Sequence, residues 1–173
     1  MTQVVLSVVG SDRPGLTQAL AAAVGEAGGN WLESQLCHLG GLFVGSVLVE
    51  LAPERLEALR AAVRAVDAQG LDVRLVPARE GSDAVAGESL AFSLVGRDGP
   101  GIVKEVAGVL SELGANIEGF ETWVSDQPHS GLPLFHMEAR LRLPPALPAA
   151  AVQAALEAIS GEIMVDIALK AVG

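Results

Sequence analysis

VVLSVVGSDRPGLTQALAAAVGEAGGNW, residues 4–31, and LAFSLVGRDGPGIVKEVAGVLSELGANI, residues 90–117, decide the fold. With residue 4 set over residue 90 and no gap, Ser7/Ser93, Val9/Val95, Gly10/Gly96, Asp12/Asp98, Pro14/Pro100 and Gly15/Gly101 coincide. So do Ala21/Ala107, Glu26/Glu112, Gly28/Gly114 and Asn30/Asn116. Most of these residues set backbone shape, and chance likeness between two helices would not align them. The chain therefore reads as one unit used twice, and such a repeat determines the architecture before any other feature.

Each copy opens with a short, β-rich apolar run, Val4–Val9 or Leu90–Val95, as buried strands do. GSDRPG or GRDGPG follows, a turn whose proline predicts the first position of a helix. Leu16, Leu20 and Val24 then recur at helical spacing, as do Ile102, Val106 and Leu110. Gly28 and Gly114 stand where a left-handed cap would end each helix, and Asn30 and Asn116 open a second strand. Gly40-Gly41 predicts a hairpin whose return strand ends near Leu51, and SDQPHSGLP, residues 125–133, gives the second copy a longer turn. Phe135, Met137, Ala139, Leu141 and Leu143 alternate with His136, Glu138, Arg140 and Arg142, which predicts one buried and one wetter sheet face. Second helices are expected over residues 53–68 and 148–160, burying Leu56, Leu59, Val63 and Val66 in one and Val152, Leu156 and Ile159 in the other. Last strands are expected around Leu71, Val73 and Leu75 and over residues 163–171.

The order β-α-β-β-α-β, twice, defines an α+β chain of two ferredoxin-like domains in tandem, with helices on one face of each antiparallel sheet. The domains are expected at 1–79 and 89–173, joined by the small, polar residues 80–88. The other face or the edge strand of each sheet calls for cover, from the second unit or from a second chain. A homo-oligomer is thus one expected assembly.

Composition narrows the function. Half of the 173 residues are hydrophobic and 18% are charged, enough apolar material for a folded core. Against 21 acidic side chains stand 11 basic ones, a formal charge of -10 that disfavours direct binding to phosphate backbones. One cysteine, Cys37, excludes an intrachain disulfide framework and a zinc site of several thiolates. MTQVVLSVVGSDR has no basic residue before Arg13, unlike a signal peptide. The longest uncharged stretch, between Glu33 and Glu50, is too short and polar to span a bilayer. A cytoplasmic protein is expected. Cys37 and His38 point to opposite faces of a strand, and His129 and His136 find no third ligand, so no metal is expected. With no G-x-S-x-G, no phosphate-binding loop and no assignable acid–base pair, neither catalysis nor a cofactor is expected.

The remaining chemistry lies in the G-x-D-x-P-G turns. Free amide groups at a helix start attract a carboxylate, so the N–H groups near Gly15–Leu16 and Gly101–Ile102 could hold a small anionic or zwitterionic ligand. Equally, Asp12 and Asp98 could cap the helices and fill that place themselves. Asn30 and Asn116 have the same two readings, as turn formers or as amides that meet an amino acid's ammonium and carboxylate. Arg13 could pair with a ligand carboxylate or remain solvated, and its replacement by Gly99 makes the two turns chemically unequal.

A duplicated βαββαβ unit with G-x-D-x-P-G after its first strand and G-x-N at its second resembles the tandem ACT domain proteins over nearly the whole chain. Length, layout and the SDQPHSGLPLFHME hairpin are most similar to the glycine cleavage system transcriptional repressor family. The resemblance implies a regulatory module whose ligand, glycine or another small amino acid, lies where the first turn of one unit meets the second-strand region of a neighbour. Carried over by position, it implicates Asp12, Arg13, Pro14, Gly15, Leu16 and Asn30, with Asp98, Gly99, Pro100, Gly101, Ile102 and Asn116. It also implies action through a partner transcription regulator. A regulatory ACT subunit of an amino-acid or one-carbon enzyme is the alternative.

Overall fold

Val4, Leu6 and Val8 alternate with Gln3, Val5 and Ser7 along β1, Thr2–Ser11, and only the first set is buried. That period of two fixes which face of the sheet receives the helices. The computed structural model describes residues 1–67, 70–78, 87–126, 132–163 and 165–171, and it divides into two compact units, Met1–Gly81 and Ser82–Gly173. Most of the stretch expected as a linker lies outside the described residues, as does His129.

In the first unit β1 is followed by α1 (Leu16–Glu26), β2 (Asn30–Leu39), β3 (Leu42–Leu51), α2 (Leu56–Asp67) and β4 (Leu71–Pro77). The sheet order is β2-β3-β1-β4, with every neighbouring pair antiparallel. The second unit repeats this with β5 (Ser89–Arg97), α3 (Ile102–Glu112), β6 (Asn116–Asp126), β7 (Pro133–Arg142), α4 (Ala149–Ile163) and β8 (Val165–Ala171), in the order β6-β7-β5-β8. Both units are thus the ferredoxin-like α+β domain expected from the pattern. Even the irregularities repeat: a bulge interrupts β2 between Trp31 and Glu33, and β6 between Ile117 and Gly119.

Several boundaries differ from those the sequence suggests. Pro53–Arg55 winds as a 3-10 turn before α2, since a proline-led segment readily makes the tighter first turn. The last helix runs on to Ile163, so β8 begins at Val165 rather than at residue 163. Gly161 does not stop it, because a helix tolerates glycine at a cost of about 1 kcal/mol.

Each unit has its own core. Leu6, Leu20, Val47, Leu59 and Leu71 are fully buried in the first, where Leu20 and Leu59 bring α1 and α2 onto the sheet. Phe92, Met137, Leu141, Val152 and Leu156 play the same part in the second. No described side-chain N or O atom is buried without a hydrogen-bond partner. Burial of each large side chain contributes about 1.5–3 kcal/mol, so the apolar sandwich of sheet and helices holds each unit together. Replacing Leu6 by Ala leaves a cavity at the centre of β1 and is expected to lower unfolding stability by about 2–5 kcal/mol in urea titration.

Candidate functional site

The central strand of each unit must reverse into a helix within four residues, and both turns do so through a left-handed glycine. Gly15 takes φ 92 and ψ -4, and Gly101 takes φ 99 and ψ -16, left-handed values that suit a residue without Cβ. The glycines are the N-caps: their carbonyls accept the first helical bonds, from Ala19 N–H and from Glu105 N–H, each at 2.9 Å. This corrects the expectation that Pro14 and Pro100 occupy the first helical position. They sit one residue ahead of the cap, where their fixed φ shapes the turn instead.

Neither helix start carries a side-chain cap hydrogen bond. A helix leaves its first amides without intrahelical partners, and at α1 these belong to Leu16, Thr17 and Gln18 beside the capping glycine. Asp12 turns its carboxylate elsewhere, with Oδ2 3.9 Å from Nε2 of His38 on β2. Both side chains are about half exposed or more, so the pair contributes little to stability. Of the two readings the sequence left open for Asp12, the capping one does not describe this turn.

The result is an open cavity of about 460 Å³ lined by Asp12, Arg13, Pro14, Gly15, Leu16, Thr17, Gln18 and Phe43. That volume lies in the ~300–1,000 Å³ range of small-molecule sites. Its wall offers main-chain amides and the positive end of the α1 dipole, one carboxylate and one guanidinium, with the Phe43 ring as the apolar side. Those are the complements of a zwitterion: donors for a carboxylate and an acceptor for an ammonium. Among the described residues, no group of three or more His, Cys, Asp or Glu could hold a metal ion.

The structure gathers five of the six first-unit candidates into this wall. Asn30 is not among them: it is exposed at the start of β2, opposite Glu50 of β3. In the second unit Asp98, Gly99, Pro100 and Gly101 are exposed on the equivalent turn, Ile102 is buried beneath it, and Asn116 starts β6 opposite Arg142. Thr17, Gln18, Phe43 and His38 were not singled out as ligand-site residues. Phe43 and His38 come to the turn through the hairpin register, which pairs Phe43 with both Gly10 and His38. Gly10, the first glycine of the motif, serves packing rather than ligand contact. A Cβ there would collide with the carbonyl oxygen of Gly70 and come within 2.8 Å of Leu71 Cα. Elsewhere, Arg142 of β7 forks onto Glu118 of β6 at 3.0 and 3.2 Å, and His136 stacks on Trp123 while bonding Ser125 at 2.7 Å.

Topology and the duplicated turn together define the class: a tandem repeat of a ferredoxin-like α+β unit. A family model described as "ACT domain" matches residues 2–76, all within the first unit. The full chain is similar to the crystal structure of an unknown protein from Galdieria sulphuraria, at 31% identity, TM-score 0.88 and 99% coverage of both chains. It is also similar in fold to a candidate glycine cleavage system transcriptional repressor, at 17% identity, TM-score 0.71, and coverage of 99% of this chain and 97% of that one. No curated protein sequence matches significantly.

The left-handed cap and the helix interior make opposite demands on glycine. Gly15→Ala is expected to cost about 1 kcal/mol, because an L side chain is strained at φ 92 although nothing lies within 4 Å. Gly25→Ala, inside α1 with open space around it, is expected to add about 0.5–1 kcal/mol. Urea midpoints of the two variants check both signs.

Proposed function

We propose that the protein is a non-enzymatic, amino-acid-responsive regulator that binds a small amino acid in the first-unit cavity and acts through a partner protein. The observation that carries this reading is the start of α1, which has no side-chain cap and whose first residues line an open cavity together with Asp12. A ligand carboxylate would accept hydrogen bonds from the Thr17 and Gln18 amides, and its ammonium would meet Asp12. The fold likeness to the candidate glycine cleavage system repressor suggests glycine or another small amino acid as the ligand.

The proposed role follows the fold likeness to the candidate glycine cleavage system repressor, whose name supplies the transcriptional setting. An acidic chain with charge -10 suits regulation through another protein better than direct contact with nucleic acid. The ligand must bind one arrangement of the protein more tightly than another, since equal binding shifts nothing. A coupling of about 1–3 kcal/mol is sufficient to change partner affinity by one to two orders of magnitude.

Calorimetric titration of the full chain with a panel of proteinogenic amino acids is expected to give saturable binding of at least one small member. Silence across the panel contradicts the reading. Affinity capture with and without that amino acid then separates the two roles. Ligand-dependent recovery of a transcription regulator supports the repressor-like role, whereas recovery of a metabolic enzyme transfers the protein to the regulatory-subunit role.

A further inference from the structure

We infer that the two copies of the turn have parted in role: the first binds the amino acid, and the second is a structural joint, so that each chain takes up one ligand. This rests on the amino-acid reading of the first-unit cavity. The strand register identifies equivalent places in the two sheets. Gly10 pairs with Phe43 and Phe43 with His38, while Gly96 pairs with Phe135 and Phe135 with Val124.

Three differences follow at those places. His38, which faces Asp12 in the first unit, is replaced by Val124, an aliphatic side chain 54% exposed. Arg13, part of the cavity wall, is replaced by Gly99. The second turn therefore lacks the guanidinium of the first, and where the first sets an imidazole beside its aspartate the second presents methyl groups to a charged ligand. Desolvating a charge without full pairing opposes binding. Third, Phe43 is only half buried and lines the cavity, whereas Phe135 is sealed in the core at 9% exposure.

The backbone differs too. In the first unit the β1–β3 ladder ends with the pair Ser11–Leu42. In the second it ends at the equivalent pair Arg97–Leu134, but one more hydrogen bond follows, from Asp98 N–H to the carbonyl of Pro133 at 3.0 Å. That bond fastens the G-x-D-x-P-G turn to the hairpin and gives Asp98 a structural position. Duplication thus preserved the left-handed glycine cap in both copies while the side chains around it diverged.

The test is calorimetry of the full chain with glycine, L-alanine and L-serine as probes, on wild type, Asp12→Asn and Asp98→Asn. Both aspartates sit on exposed turns, and thermal melts by circular dichroism verify that the variants fold. The expected result is about one equivalent bound per chain, weakened about tenfold or more by Asp12→Asn, as loss of a charge-assisted hydrogen bond predicts, and unchanged by Asp98→Asn. Two equivalents per chain overturn the inference, as does a loss on Asp98→Asn equal to that on Asp12→Asn, or binding indifferent to Asp12→Asn. A wild type that binds none of the panel overturns the amino-acid reading itself and this inference with it.

Discussion

A glycine in the left-handed region, placed where the central strand gives way to the first helix, is the constraint on which the rest depends. At Gly15 and Gly101 the chain turns back over the sheet with a cap that has no side chain. The geometry of that reversal lets Leu16 and Ile102 enter the core at once, which seats the helix on the apolar face of the sheet. The same geometry leaves the first amides of the helix without an internal acceptor. One backbone conformation therefore anchors the packing and creates the donor set of the site. An Asp, Ser or Thr cap would have satisfied those donors from within, and the cavity above them would have lost its attraction for an anion.

Most of the architecture is legible in the sequence, for definite physical reasons. The repeat aligned Gly10, Pro14, Gly15, Gly28 and Asn30 with their counterparts, and these positions govern backbone direction, so they carry topology even where side chains have diverged. Alternation in β7 and helical spacing in α1 and α3 reported the buried faces correctly, because each apolar set meets one core. What the sequence obscured was local or long-range. Proline at a turn suggested the first helical position, whereas the glycine after it proved to be the cap. The helix at 149–163 outran its expected end because Gly161 permits helix as well as turn. Phe43 and His38 reach the turn through the pairing of β3 with β1 and of β2 with β3, and no local motif announces a cross-strand neighbour. Asn30 drew attention by its repeat in the second copy, yet its place at the strand entry puts it outside the wall of the cavity.

The tandem arrangement gives one fold two fates. Both units keep the sheet order, the bulge in the edge strand and the glycine cap. Around that shared frame, the first turn gathers Asp12, Arg13 and His38, and the second replaces the two bases by Gly99 and Val124. Backbone-setting residues are held by folding, since a change there strains the whole unit. Side chains on an exposed turn contribute little to stability and are free to drift toward or away from a ligand. A protein built this way can keep a sensing unit and a plain one in a single chain.

The central claim is that the bare amides at the start of α1 receive the ligand's carboxylate. Amide chemical shifts of the 15N-labelled full chain, followed during titration with an amino acid that binds, test it most directly. The account predicts the largest changes at Leu16, Thr17 and Gln18, with Asn30 and the buried residues of β1 nearly still. Large changes confined to Asn30, to the helix-free face of the sheet or to the turn at Gly101, with Thr17 and Gln18 unmoved, would contradict it.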